Sequence, residues 1–511
     1  MLVQYHNLPV QSLPILLLCS GFLALLFRSF VRRASDLRKQ RSWGCKSVPS
    51  RFQWEPFWGV DLVWTQWQAL RGHYFIPWLS ELHKGQPKTF QITFMGTRVV
   101  YTIEPENLKS LTAINWKDFA ISPLRRYKNA GAAFANRGVN VVDGEDWVFS
   151  RALIKPFFMR EVYADTERLR SYTDHLLRIL PPDGETVNIQ PYLQRWFLDV
   201  TTNFIFGAPM DALTHPERAR VTWAMLDVLR GNRLRLQMYK VMNLIDWSWW
   251  LRAIKIVHAY MDEHLDRVYA DIAERERRIA AGEDVGPERL DLLWYMAKHC
   301  PERAELRSQL SLLFVPNNDT TSIFTGNVVW HLARNPEAWA KVRAEVLAHG
   351  DAPLTFEALR GMKYLNACIN ETHRLNPNNV SQVRMCINDT TLPLGGGPDG
   401  KSPILIRKGD VVQVTKTVMQ KDPLYFGEDV DAFKPERFVD QAHFWEFVPF
   451  GGGPRRCPAQ MMVQTETAYI LARLAQVYAR IEPRDENPFV SVMRIGPSNK
   501  TGVLVALHKH K

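Results

Sequence analysis

The sequence predicts a large, mainly helical domain with small β-sheets, preceded by one membrane-spanning helix. Three observations lead there. From about Trp147 to Trp339, apolar residues recur at three- and four-residue spacing, the period of amphipathic helices. Short alternating runs rich in β-branched residues flank that region, at residues 89–103 and 404–414. At the N-terminus, an apolar run from Val10 to Phe27 stands directly ahead of a basic cluster.

The apolar run contains Leu16-Leu17-Leu18 and the stretch Leu23 to Phe27. Counted on to Val31, with Arg28 able to snorkel, it reaches the roughly 20 residues a bilayer requires. Between Arg28 and Arg51 lie eight Lys or Arg and a single acid, Asp36. Positive charge after the run sets the body of the protein in the cytosol, and the endoplasmic reticulum is the expected membrane. A cleaved secretory signal would carry its charge ahead of the run and a small-residue cleavage site behind it. The expected organisation is a short lumenal segment at 1–9, an anchor at 10–31, a basic linker at 32–55 and one large domain at 56–511.

Beyond the anchor, residues 43–57 read as irregular and aromatic. Residues 89–103 read as two strands around Gly96, and residues 271–291 as a solvated helix end and loop. Residues 404–414 read as a hairpin turning at Lys408-Gly409, and a helix is expected from about Ala459 to Tyr478. The formal net charge is +11, but the N-terminal cluster carries most of it, so a nucleic-acid partner is not expected. None of the six cysteines forms a CxxC pair, which argues against a structural zinc site or a disulfide framework.

The most informative stretch is FVPFGGGPRRCPAQ, Phe447 to Gln460. Its glycines permit a tight turn and close approach to a flat ligand. A lone thiolate needs nearby positive charge and backbone N–H groups, which the loop and a helix N-terminus after Pro458 can supply. The spacing Phe450-x-x-Gly453-x-Arg455-x-Cys457 resembles the haem-binding loop of the cytochrome P-450 superfamily, with Ala459 in place of that loop's last glycine. Further features resemble the family in the same order. These are Trp147 and Arg151 as a W-x-x-x-R pair, Glu371 and Arg374 as E-x-x-R, Arg384, and the Phe433–Phe438 box with Arg437.

The resemblance implies a haem-thiolate monooxygenase with Cys457 as the axial iron ligand and Phe450 near its sulfur. Gly453 would shape the loop. Trp147, Arg151, Arg384 and Arg455 would hold the haem propionates, and a buried Glu371–Arg374–Arg437 network would brace the loop. It further implies that Asp319 and Thr320, in the run LLFVPNNDTTS from Leu312 to Ser322, pass protons to dioxygen. Pro316 and Asn317 depart from the small residues usual there, and a proline inside a helix removes a hydrogen bond and forces a kink.

A second motif is a decoy. Gly395 to Ser402 fits the pattern of a phosphate-binding loop, but Pro403 and a strand-like ILI follow, so no helix N-terminus would meet a phosphate. The same run resembles an insert of fungal alkane- and fatty-acid-hydroxylating members. Residues 114–134, with Trp116, Phe119, Tyr127 and Phe134, and residues 210–251, with Trp223, Trp247, Trp249 and Trp250, are expected to line a pocket for a lipophilic small molecule. Core packing and membrane contact are the competing readings of these aromatics. The resemblance also implies electrons from an NADPH-dependent flavin reductase. The reaction expected is a tailoring oxidation in fungal secondary metabolism. The alternatives are a fatty-acid or alkane hydroxylase and a haem-binding scaffold without turnover.

Overall fold

The computed structural model describes residues 34–126, 129–237, 242–289, 291–494 and 496–509, together with Ser20 and Val31. The anchor expected at 10–31 lies outside the described residues except at those two positions, and Tyr127 lies outside them as well. Among the described residues no helix is long and apolar enough to cross a membrane.

Two large apolar clusters share one helix, Arg303–Arg334. Its first half gives Leu306, Leu310 and Phe314 to a cluster with Phe206, Trp250 and Met261. Its second half gives Phe324, Val328, Val329 and Leu332 to a cluster with Trp196, Trp339 and Ile470. These side chains are fully buried, and each contributes about 1.5–3 kcal/mol relative to exposure. Between the halves lies the polar stretch Pro316–Ser322, so one rod carries a chemical segment between two greasy grips. Glu302 caps the start of the helix, its carboxylate accepting from the N–H groups of Ala304 and Glu305.

Pro316 lies inside a helix that runs unbroken from Arg303 to Arg334. The carbonyl of Leu312, which loses its intrahelical donor to the proline, accepts instead from Asn140 Nδ2 at 3.3 Å. A neighbouring loop thus repairs the missing bond.

The strands at Thr89–Phe94 and Thr97–Thr102 form as expected, paired antiparallel around the turn at Met95 and Gly96. The hairpin expected at 404–414 does not form. Ser402–Ile406 pairs back on Thr390–Gly396, whereas Val411–Val414 runs parallel to Thr97–Thr102 and antiparallel to Gln382–Cys386. The turn between them is closed by Asp410, whose N–H donates to Arg407 O (2.9 Å) and whose carboxylate accepts from Arg407 N (3.0 Å) and from Arg98 Nη1 (2.6 Å). Val411, Val412 and Val414 are all buried, which suits a strand enclosed between two neighbours better than a hairpin arm. The glycine-rich run at 395–402 is the turn of the Thr390–Gly396/Ser402–Ile406 hairpin, and no helix opens at Lys401-Ser402.

The basic linker is partly ordered. Residues 34–42 are helical and clamped onto the sheet region, with Asp36 accepting from Arg407 (2.7 Å) and Lys39 paired to Asp389. Just beyond, Phe52, Trp54, Phe57, Trp58, Trp64 and Trp67 are exposed. The aromatics expected to line a pocket are divided. Phe119, Phe134 and Trp250 are packed in the core, and Trp223 faces solvent. Trp250 fills the space over Gly231, where a Cβ would meet its ring at 2.1 Å, so it locks the Arg220–Gln237 and Ser248–Ala280 helices together rather than facing a ligand.

Candidate active site

The Cys457 loop is wound tightly between the Gln460–Val477 helix and residues 110–114. Cys457 N donates to Phe450 O (3.0 Å), Arg456 N to Gly453 O (3.1 Å) and Gly451 N to Val448 O (3.0 Å). Gly453 has φ +68, and a Cβ there would sit 1.9 Å from the carbonyl oxygen of Thr112. The protein's own backbone therefore demands a glycine at this position. Of the five cysteines among the described residues, only Cys457 is not fully buried. Enclosure pushes its thiol up, while the Ala459 N–H, Arg151 and Arg456 push it down. The other four lack any such pair of cations.

Around this thiol the structure gathers residues from four separate segments. Arg151 lies on the Gly144–Ile154 helix, close enough to Cys457 for the thiolate to favour its charge. Trp147, one turn earlier, is buried, and the Arg455 guanidinium stacks over its ring at 4.8 Å. Arg455 also donates to Val142 O (2.9 Å) and Asp143 Oδ1 (2.5 Å). Arg384, on the Gln382–Cys386 strand, is buried and pushed down to about 9, first by burial and then by Arg125 and Arg455. Of the acids among the described residues, only Asp143 raises Arg125, Arg384 and Arg455 against this effect.

Arg125, Asp143 and Lys416 had no sequence signal. Arg125 comes from a short turn next to Arg126, and nothing in its spacing sets it apart; the fold brings it to the cluster, where it donates to Asn140 O. Asp143 precedes the Gly144–Ile154 helix and also accepts from the N–H groups of Ile121 and Ser122. The buried Lys416 ammonium donates to Val448 O (3.2 Å) and Pro449 O (3.4 Å), pinning the entry to the cysteine loop. Burial, then Arg384, pushes it down to about 7.

The bracing network holds in a modified form. Glu371 and Arg374 are fully buried and bidentate, with Nε–Oε2 at 2.7 Å and Nη2–Oε1 at 2.8 Å. Arg374 also donates to Gln420 O, Val430 O and Ala432 O. Arg437 joins the network as expected, through an ion pair with Glu371 and not a hydrogen bond. Its Nε stands 3.5 Å from Glu371, and its guanidinium donates to Phe426 O and Asp429. The N–H of Lys434 makes the closing bond to Glu371 Oε1 (2.9 Å). From the same helix, His373 stacks on Phe324 of the central helix (3.7 Å) and meets Phe450 edge-on (5.0 Å), so three aromatic rings join the central helix to the cysteine loop. Burial, then Lys416, pushes His373 down to about 3.

On the central helix, Thr320 Oγ1 donates to Pro316 O (2.6 Å) and Thr321 Oγ1 to Asn317 O (3.2 Å). Asn378 Nδ2 donates to Thr320 O (3.2 Å). Asp319 is buried, and its Oδ1 accepts from Arg494 Nη1 at 3.3 Å.

A metal at Cys457 would take its other ligands from a non-protein group, because no group of three or more His, Cys, Asp or Glu among the described residues could hold one. Arg125, Arg384 and Arg455 share a single carboxylate, Asp143, and Arg151 faces Cys457, so the residues present fit a dianionic prosthetic group such as haem, whose two propionates would neutralise the excess cations.

The sequence profile of the family described as Cytochrome P450 matches residues 57–494. The chain belongs to the cytochrome P450 family. It is 82% identical over 475 residues to cytochrome P450 monooxygenase opdE of Penicillium oxalicum, covering 93% of this chain and 100% of that protein. It is 57% identical to monooxygenase iliC of a Neonectria species and 50% identical to monooxygenase tenA of Beauveria bassiana, each over 98% of both chains. This P450 is an oxidoreductase: a haem-thiolate monooxygenase that uses dioxygen, a redox partner and a lipophilic substrate.

Proposed function

We propose that this P450 holds haem iron through Cys457 and carries out a tailoring oxidation in fungal secondary metabolism. The observation that carries the ligand assignment is the setting of Cys457, with the Ala459 N–H and two guanidiniums at an otherwise enclosed sulfur. Trp147, Arg125, Arg151, Arg384 and Arg455 would hold the propionates. Thiolate-bound haem supplies the redox chemistry that cleaves dioxygen. The chain's own part is to keep Cys457 charged, to brace its loop through Lys416, His373 and the Glu371–Arg374 pair, and to move protons. Asp319 takes a proton from solvent and Thr320 passes it on. The Thr320 hydroxyl, now donating to Pro316 O, reorients to do so.

Membrane attachment by residues 10–31 is part of this reading, with the body facing the cytosol at the endoplasmic reticulum. Its support is the exposed aromatic shelf from Phe52 to Trp67, the kind of surface that sits at lipid headgroups, together with the basic cluster beside it. Exposed Arg456, next to the thiolate, suits an acidic NADPH-dependent flavin reductase.

The deciding experiment is the spectrum of the reduced, carbon-monoxide-bound protein with and without Cys457→Ala. A thiolate-type Soret band that disappears in the variant is expected, and a band that survives the substitution would refute the ligand assignment. Titration with a polyketide or terpenoid panel against a fatty-acid panel, read by the haem spectral shift, separates the tailoring reading from fatty-acid or alkane hydroxylation. Normal haem loading with no NADPH consumption on either panel would mark a scaffold.

A further inference from the structure

The turn of a small hairpin reaches the central helix at the point where protons are to be moved. Its strands are Ser491–Met493 and Pro497–Asn499, paired antiparallel with Met493 opposite Pro497. Arg494, in the turn, donates from Nη1 to Asp319 Oδ1 (3.3 Å), and both side chains are largely shielded from water, at 27% and 11% exposure. Gly496, in the same turn, lies against Asn378, where a Cβ would come 2.6 Å from Oδ1. Asn378 is the residue that donates to the carbonyl of Thr320. The turn therefore bears on the acid directly and on its hydroxyl neighbour through one amide.

The two strands of the hairpin are tied to different helices. The Pro497 carbonyl accepts from Asn327 Nδ2 (2.9 Å), which fixes that strand to the central helix two turns beyond Asp319. The Met493 carbonyl accepts from Arg233 Nη1 (3.0 Å), on the Arg220–Gln237 helix. That helix belongs to the pair locked by Trp250, and it lies outside the second apolar cluster that grips the central helix. A shift of the helix pair would act on one strand while the other stays put, and the turn carrying Arg494 must absorb the difference.

We infer that Arg494 is a positioning residue that fixes the carboxylate of Asp319, and that the Arg220–Gln237 helix acts on it through Arg233 and the Met493 carbonyl. The inference rests on the proton-relay reading of Asp319. A monooxygenation consumes dioxygen, two electrons from the redox partner and two protons, placing one oxygen in the product and the other in water. When the protons arrive late, the same two electrons and two protons leave with dioxygen as hydrogen peroxide. An ion pair to one carboxylate oxygen restricts the rotamer of Asp319, so proton delivery starts from one geometry. The helix pair passes its position to that geometry through two hydrogen bonds, with no contact of its own to Asp319 required.

The test uses the full-length holoprotein in liposomes with a flavin reductase and NADPH, comparing Arg494→Met, Arg494→Lys, Arg233→Met and Asp319→Asn. Every variant is first checked for an unmutated reduced carbon-monoxide spectrum. Two activities are then measured. The first is NADPH- and dioxygen-driven turnover, with its peroxide yield and solvent deuterium isotope effect. The second is peroxidation of tetramethylphenylenediamine driven by cumene hydroperoxide, which bypasses dioxygen reduction. Arg494→Met is expected to lower the NADPH-driven rate about tenfold, raise the peroxide yield and change the isotope effect, with the hydroperoxide rate held within about twofold. Arg494→Lys restores most of the rate, and Arg233→Met shows the same signature at about threefold. An unchanged rate and isotope effect in Arg494→Met, or an equal loss in both activities, overturns the inference. If Asp319→Asn also leaves the isotope effect unchanged, the relay reading itself fails; if Asp319→Asn changes it and Arg494→Met does not, only the positioning role fails.

Discussion

On the loop side of the site, Cys457 sits at the end of one continuous motif, and its supports are backbone carbonyls, buried cations and a bidentate ion pair. On the helix side, Asp319 and Thr320 sit in a stretch where proline and asparagine replace small residues, and their supports come from three distant segments through Asn140, Asn378 and Arg494. The loop is held by what lies beneath it, and disturbing those supports should threaten folding. The helix segment is held from outside by side-chain hydrogen bonds from other segments, and disturbing those should alter chemistry with little cost to the fold. The difference teaches that the part of the site that fixes the cofactor and the part that handles oxygen are stabilised by separate means and can vary separately.

The comparison breaks most sharply at Glu371. Glu371→Ala leaves Arg374 charged and fully buried, a loss of about 3–5 kcal/mol. Urea unfolding of the holoprotein, or its failure to accumulate with haem, checks this. An effect below about 1 kcal/mol would deny the loop side its special standing.

Next in size is a pH effect at His373. Its folded value is about 3 against an ordinary value of 6.5, so the unfolded chain binds the proton first as pH falls. The stability at stake is present in full above about pH 6.5 and is lost progressively toward pH 3. At pH 5 the loss amounts to about 2 kcal/mol. His373→Phe keeps the stack between Phe324 and Phe450 and removes the titration, so the fall in melting temperature between pH 7 and pH 5 should be shallower than in the unmutated protein.

Asn140→Ala leaves the Leu312 carbonyl without its donor and should cost about 1 kcal/mol by urea unfolding, with the thiolate-type spectrum intact. The smallest effect is expected from Pro316→Ala. It restores an intrahelical donor to a carbonyl that Asn140 already serves, so the gain should fall well short of the roughly 3 kcal/mol that a helix-interior proline usually costs. In the Asn140→Ala background the same change should be clearly stabilising, and a double-mutant cycle reads that coupling directly.

The loop side was legible because its chemistry is local. Phe450, Gly453, Arg455 and Cys457 lie within eight residues, and Glu371 and Arg374 share a helix face by spacing alone. Arg125, Asp143 and Lys416 were not legible, because each acquires its role only when separate segments fold together. The strand runs at 404–414 had the right composition, but periodicity does not say which strand pairs with which, and Asp410 closes the turn in place of a ladder. Pro316 showed where a hydrogen bond is missing; that Asn140, 176 positions earlier, supplies another could come only from the fold. Among the aromatics of residues 114–134 and 210–251, Trp250 and Phe134 belong to the core, because apolar spacing is equally the mark of a core and of a pocket.

One consequence follows from the guanidiniums at the base of the site. Arg125, Arg151, Arg384 and Arg455 come from four stretches of chain, and three of them, enclosed Arg384 and Arg455 with Arg125 at the rim, repel one another with one aspartate to offset them. Such a cluster makes newly made chain reluctant to close until a doubly negative guest arrives, after which the same charges become its firmest hold. The cell's haem supply would then set how much of this protein survives quality control, before any substrate is met.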